Sequence, residues 1–349
     1  MNTEKIIVFL TFFLISLITT LIILFKRNPI SNYFKLVDKP NIERKIHKTE
    51  TPIIASFSIV ILFILFLIID KFYINLFSKN FEIILSISLC FFAVGIIDDK
   101  YSLNPYQKII FISLILFFLL PRNSTLIIDK IFFLDLTSFY YLKEFSTFFT
   151  IFCILALMNA MNLVDGINSL ATGIVIFAII YILIFFNNDF NFYLFIVLIN
   201  LSIISFYIYK GNYFLGNNGI LFLSGFLSLI IIEYINTYWN INISKTNWSL
   251  NINLGSENIL VLFLLPGIDM IRLFFSRILN KKDPFVGDKY HLHHFLINRF
   301  NLLQTLFIYF FAMNIIILTY YLLKIKFIWI FLLTLFFYFY FLFKLKNNK

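Results

Sequence analysis

Apolar runs recur along this chain at lengths close to the roughly 20 residues that a helix needs to cross a bilayer. Eleven are present, near residues 6–25, 53–69, 81–97, 108–120, 148–163, 170–186, 192–208, 219–236, 258–275, 303–322 and 326–343. Each is continuous rather than alternating, which predicts helices and argues against strands. Of the 349 residues, 61% are hydrophobic and only 13% are charged, about half the charged share of an ordinary soluble domain. The expected fold is therefore an all-α, polytopic integral membrane protein of about 11 transmembrane helices, forming a single domain over residues 1–349. The run from Ile6 to Phe25 is followed by Arg27 rather than by a small-residue cleavage site, so it reads as a retained first helix and not a signal peptide. Cys90 and Cys153 fall inside apolar runs and behave as small packing residues.

Eleven spans put the termini on opposite sides, and charge then sets the orientation. The loops that alternate with the N-terminal side, counted with Lys108 and the C-terminal tail, hold 18 Lys and Arg against 9 on the other side. The positive-inside rule places the N-terminus outside and the C-terminus in the cytoplasm. This accounts for the formal charge of +10 without a nucleic-acid partner. The outer loops offer Tyr140, Tyr141, Trp239 and Trp248 as interfacial anchors, and Asn123, Asn242 and Asn247 begin Asn-X-Ser/Thr triplets that an Asn-rich chain produces by chance.

Nearly every unusual polar residue then falls on the cytoplasmic side, in five loops expected to converge on one cavity. The central stretch, Asn159 to Gly173, is a polar island between two apolar runs. Asn159, Asn162, Asp165 and Asn168 recur every three residues and would share one face of a helical segment until Gly166 breaks it. Polar groups at a bilayer edge line a wet cavity, meet a ligand, or bond to neighbouring helices. Asp98 and Asp99 end the third run. Adjacent carboxylates near lipid call for a cation, either a metal or a lysine such as Lys108, unless water at the helix end suffices. Phe214 to Phe222 is a glycine-bracketed turn opening into a span, either a plain tight turn or a helix N-terminus offered to an anion. Asp269 and Arg272, three apart, are expected to pair on one helix face as a structural element. Lys45, His47 and Lys48 lie in a basic loop that suits lipid headgroups or substrate phosphates. His291, His293 and His294, without a thiolate nearby, suit phosphate or sugar oxygens better than a closed zinc site.

Taken in order, His47 to Pro52, Asp98-Asp99, Asn159 to Gly173, Gly216 to Gly219 and Pro284 to His294 resemble the cytoplasmic motifs of the polyprenyl-phosphate N-acetylhexosamine-1-phosphate transferases, over residues 38 to 295. The His291 to His294 form is most similar to the N-acetylglucosamine branch. The resemblance implies transfer of a sugar-1-phosphate from a UDP-sugar to undecaprenyl phosphate, with release of UMP, at the start of lipid-linked cell-envelope polysaccharide synthesis such as that of O-antigen. It implies catalytic roles for Asp98 and Asp99. Substrate binding falls to Lys48, Lys108, Asn159, Asn162, Asp165, Asn168, His291, His293 and His294. It implies Mg²⁺, with Mn²⁺ as a substitute, held by Asp165 and Asn217. It also implies a bacterial inner-membrane location with the site on the cytoplasmic face; a homodimer is compatible, though no motif specifies one. Two departures stand out. The family usually has Asp where this chain has Asn168 and Asn217, which lowers the charge available to a metal. The alternatives are a degraded member that binds lipid or nucleotide sugar without turnover, and a transporter of anionic solutes.

Overall fold

The computed structural model describes residues 3–38, 50–69, 71, 79–133, 139–185, 191–244 and 255–347. Lys45, His47, Lys48, Asn247 and Trp248 lie outside the described residues. Each of the eleven apolar runs is helical over most of its described length, the ninth being divided between Ser256–Leu262 and Leu264–Leu279. Among the described residues six helices are long and apolar enough to cross a membrane alone. Two more candidates are bent pairs, and three apolar helices are shorter. The protein is an all-α, multi-pass membrane protein.

The bends are features that the hydropathy pattern did not reveal. α1 (Thr3–Phe25) turns by 74° into α2 (Arg27–Phe34), and α10 (Ser256–Leu262) by 75° into α11 (Leu264–Leu279). Strands, not expected from continuous apolar runs, occur as two short antiparallel ribbons in the loops: β1 (Val37–Asp38) with β2 (Thr51–Pro52), and β3 (Lys130–Phe132) with β4 (Phe139–Tyr141). Two or three residues per strand carry too little alternation to register as a pattern.

The chain divides into two compact units. Unit 1 comprises residues 1–126 and 172–238, and unit 2 comprises 127–171 and 239–349. Unit 1 contains α3 (Phe57–Ile69), α4 (Lys79–Tyr101), α5 (Pro105–Leu119), most of α7 (Leu170–Phe185), α8 (Asn191–Tyr209) and most of α9 (Gly216–Ser244). α9 carries large apolar side chains around its circumference and is buried accordingly: every residue from Asn218 to Asn236 is buried, Glu233 among them. Aromatic rings fill the space around it, with Phe63 4.8 Å from Phe226 and 5.2 Å from Phe222 between ring centroids.

Unit 2 contains α6 (Ser146–Val164), α10, α11, α12 (Leu292–Ile297), α13 (Leu302–Leu323) and α14 (Phe327–Asn347). α13 begins with Asn301, whose side chain accepts from the Gln304 N–H while Gln304 reaches back to the Asn301 N–H. This reciprocal cap satisfies two donors that a helix start otherwise leaves unpaired. α13 and α14 expose Phe307, Phe311, Phe336, Phe337 and Phe343, the outward apolar surface that a lipid environment accommodates.

Candidate functional site

Three of the five motif-bearing loops meet in unit 1. Asp98 and Asp99 occupy the last turn of α4, where the negative end of the helix dipole disfavours carboxylates. Each finds compensation elsewhere. Asn104 caps α5 in a reciprocal arrangement with Gln107, with Pro105 at the first helical position, and this start places Lys108 in the first turn. Its ammonium lies 2.5 Å from Asp98 Oδ2, and Asp98 is 4% exposed.

Asp99 faces the head of α9. Its Oδ1 accepts from the Asn217 backbone N–H at 2.9 Å and from Asn217 Nδ2 at 3.0 Å. Its Oδ2 accepts from the Asn218 backbone N–H at 2.8 Å and from Asn218 Nδ2 at 2.6 Å. The anion met by this helix N-terminus is thus the chain's own carboxylate, drawn by unpaired N–H groups and the positive dipole end. Asn217 Oδ1 points the other way and accepts from Lys108 Nζ at 3.5 Å. Ser56 Oγ donates to Asn218 Oδ1, and Asn218 Nδ2 also reaches the Ile53 carbonyl at 3.4 Å, which ties the 51–56 segment to the same point. Gly95 permits this approach, since a Cβ there would stand 2.3 Å from Asn218 Cα.

The other two loops meet in unit 2. α6 stops at Val164, so the three-residue spacing is helical only for Asn159 and Asn162. Asp165 is the C-cap, and Asn168 lies in the turn that follows. Asn159 Nδ2 approaches Met270 Sδ at 3.5 Å. Gly166 is exposed on the turn, where a Cβ would meet His293 Nε2 at 2.4 Å and His294 Nε2 at 3.0 Å. The turn and the histidine loop therefore touch, and a glycine makes the contact sterically possible.

Asp269 anchors that loop. The expected pair with Arg272 is present at 3.0 Å, but the carboxylate also meets His291 Nδ1 at 2.9 Å, the Leu292 N–H at 3.2 Å and the Tyr338 hydroxyl. Arg272 adds bonds to the Tyr338 hydroxyl at 2.7 Å and the Tyr290 carbonyl at 2.5 Å. Arg277 holds the loop's other end through Asp288 at 2.9 Å and the Pro284 carbonyl at 2.8 Å. Although burial opposes it, the bond from Arg277 and the Tyr290 N–H keep the Asp288 carboxyl below the usual carboxylate range. Burial holds His293 well below the ordinary imidazole value and pushes His294 down to about 4. These two rings are neutral at pH 7.

Sequence reasoning identified Asp98, Asp99, Lys108, Asn217 and the three histidines, but gave Asp269 only a local partner. An ionisable residue inside an apolar run was the available signal; its bond to His291 spans 22 residues and was not readable. Asn218 and Gly95 were likewise missed as functional supports.

Metal binding can be tested against the donors. Among the described residues no three His, Cys, Asp or Glu side chains come together as a metal-holding group. Oxygen donors of the kind that suit a hard divalent ion are nonetheless present in unit 1, where Asp98 and the Asn217 amide oxygen both face one ammonium. Mg²⁺ is commonly held by one or two carboxylates plus substrate phosphates, and the unit 1 set fits that pattern.

These features define a multi-pass helical membrane protein whose polar clusters sit at helix ends and are built from carboxylates, amides and imidazoles. A family model described as Glycosyl transferase family 4 matches residues 81–235, which includes Asp98, Asp99, Lys108, Asp165 and Asn217. Over 299 residues the chain is 25% identical to the probable undecaprenyl-phosphate N-acetylglucosaminyl 1-phosphate transferase of Bacillus subtilis (strain 168), covering 84% of this chain and 78% of that protein. It is 24% identical over 300 residues to the undecaprenyl-phosphate alpha-N-acetylglucosaminyl 1-phosphate transferase of Escherichia coli (strain K12), covering 81% and 74%. The Thermotoga maritima protein of the same description is 25% identical over 278 residues, covering 78% and 77%. The resemblance drawn from the motifs is borne out: along most of its length the chain is related to these transferases.

Proposed function

We propose that this protein transfers N-acetylglucosamine-1-phosphate, or a closely related hexosamine phosphate, from its UDP-sugar to undecaprenyl phosphate and releases UMP. One observation carries the reading. The motifs behind the resemblance are the ones that fold into clusters, with Asp98, Lys108 and Asn217 together in unit 1 and the Gly166 turn against the histidines in unit 2. In the reaction an oxygen of the lipid phosphate attacks the sugar-linked phosphorus, and the bond from that phosphorus to UMP breaks. Little covalent work falls to the protein; positioning and charge neutralisation carry the rate.

Asp98 is the residue proposed to orient or deprotonate the lipid phosphate, with Lys108 beside it as a phosphate contact. Asp99 fixes the head of α9 and, through it, the direction of Asn217. Mg²⁺, with Mn²⁺ as substitute, is the proposed cofactor and supplies neutralisation of diphosphate charge when bound. In unit 1 Asp98 and Asn217 Oδ1 are its proposed donors; for Asp165, on a turn of unit 2, a metal role rests on the motif resemblance alone. Asn159, Asn162, Asn168 and the histidines are assigned to the nucleotide sugar, and Lys48 to phosphate. The eleven apolar helices are proposed to be eleven spans in a bacterial inner membrane, with the N-terminus outside, the C-terminus inside and the chemistry at the cytoplasmic face. Lipid-linked polysaccharide synthesis is the proposed pathway.

The test is UMP release by detergent-purified protein given undecaprenyl phosphate and a panel of UDP-N-acetylhexosamines, with and without Mg²⁺. Metal-dependent release with one donor is expected. Folded protein that releases no UMP with any donor would overturn turnover in favour of a binding role.

A further inference from the structure

Asp269 is 2% exposed, and its carboxylate only accepts hydrogen bonds. The atom of His291 that faces it, Nδ1 at 2.9 Å, therefore carries a proton. His291 is itself 2% exposed. In the neutral ring the Nδ1–H tautomer leaves Nε2 with a lone pair. Nε2 is buried and meets no hydrogen-bond partner among the described residues.

A buried acceptor without a donor is a rare condition in a folded protein, and here it sits in the loop that contacts the Gly166 turn through His293 and His294. A phosphate ester oxygen cannot satisfy it, because such oxygens also accept. We propose that Asp269 is a positioning residue that holds His291 as its Nδ1–H tautomer, so that Nε2 takes a hydrogen-bond donor of the nucleotide sugar, a hydroxyl or an amide N–H, and not a phosphate oxygen. The ligand half of this inference rests on the proposed UDP-sugar substrate; the tautomer half does not. The His loop thereby reads the sugar or nucleoside part of the donor and leaves the diphosphate to other residues.

Nitrogen-15 NMR of histidine-labelled protein in detergent tests both halves, with His291→Gln identifying the resonances among the four histidines. The expected spectrum has His291 protonated at Nδ1 alone. Adding UDP-N-acetylglucosamine should move the Nε2 signal in the direction of an accepted hydrogen bond, while pyrophosphate, which lacks such donors, leaves it in place. Asp269→Asn, which can face His291 with an N–H, should shift the ring toward the Nε2–H tautomer, and Asp269→Glu should restore it. An imidazolium or an Nε2–H ring in the unmodified protein overturns the proposal, as does a pyrophosphate effect equal to that of the UDP-sugar. If Asp269→Asn fails to fold, the unmodified spectrum still decides. A correct tautomer with no response of any histidine to UDP-sugar would overturn the ligand half and count against the proposed substrate, with the positioning role intact.

Discussion

Asp99 in unit 1 and Asp269 in unit 2 are both carboxylates saturated with hydrogen bonds, yet their partners differ in kind. Asp99 is held by four amide N–H groups of Asn217 and Asn218, all neutral. Asp269 is held by Arg272, a histidine, a tyrosine and a backbone N–H. Its charge is matched locally, as is that of Asp288 by Arg277. In unit 1 the described residues set one ammonium, that of Lys108, against the pair of Asp98 and Asp99, so Asp99 is compensated by amide and helix-end dipoles and not by a formal positive charge. Such a cluster attracts a further cation, whereas the unit 2 cluster is electrically complete and serves to fix a loop.

The largest test of this contrast is Asp98→Asn. Loss of the carboxylate should lower UMP release by about 10²- to 10⁴-fold, the usual range for a positioned acid or base, while the protein still inserts. Retained turnover would remove Asp98 from the chemistry. Asp269→Ala should act in the opposite sense, on stability first. Leaving Arg272 buried without its carboxylate is expected to cost about 3–5 kcal/mol, read as a lower unfolding temperature in detergent. An unchanged temperature would show that the unit 2 cluster holds nothing together. Gly166→Ala is a smaller perturbation of the same unit. A Cβ 2.4 Å from His293 Nε2 forces the loop to shift, at about 1–3 kcal/mol; the unfolding temperature and the histidine spectrum should both change.

Acid should also separate the two clusters. The folded pKa values of His293 and His294 lie below the usual 6.5, so the unfolded chain binds more protons between that value and about 4. Stability contributed by the two neutral rings is full above pH 6.5 and is lost as pH falls toward 4. His294→Gln should flatten the slope of unfolding temperature against pH in this window; an unchanged slope would mean that the ring titrates normally. The smallest expected effect is that of Asn217→Asp. It replaces the N–H that reaches Asp99 at 3.0 Å with a second acceptor. Without divalent ions the variant should be less stable by about 1 kcal/mol, with Mg²⁺ restoring the loss and a lower Mg²⁺ concentration supporting half-maximal turnover. Equal unfolding temperatures with and without Mg²⁺ would mean that surplus charge in unit 1 does not govern metal affinity.

Hydropathy located the long apolar helices because an apolar run in lipid has few alternatives to one, and it passed over the short helices α2 and α12. It could not locate the bends near Lys26 and Phe263, since hydrophobicity is silent on the direction of a helix axis. Composition likewise pointed to Asp98, Asp99 and the histidines, because polar groups are scarce in so apolar a chain. What it could not supply was pairing across long separations. The bonds from Asp99 to Asn217 and Asn218 close loops of more than a hundred residues, and whether Asn217 faces a metal or a carboxylate depends on a backbone approach made at Gly95. The regular spacing of Asn159, Asn162, Asp165 and Asn168 misled in one respect, since the helix that would align all four ends at Val164. Gly166 carried the hint of that ending.

The burial of α9 from Asn218 to Asn236 has a consequence for tolerance to variation. Saturation mutagenesis through α13, of which only 17% of the spanning window is buried, should alternate between permissive and forbidden positions with the helical repeat. Between Asn218 and Asn236 no such rhythm is expected, because no side of the helix is free to change. Drift among strains would therefore accumulate on the outer helices and spare α9, making its sequence the most legible trace of descent in the molecule.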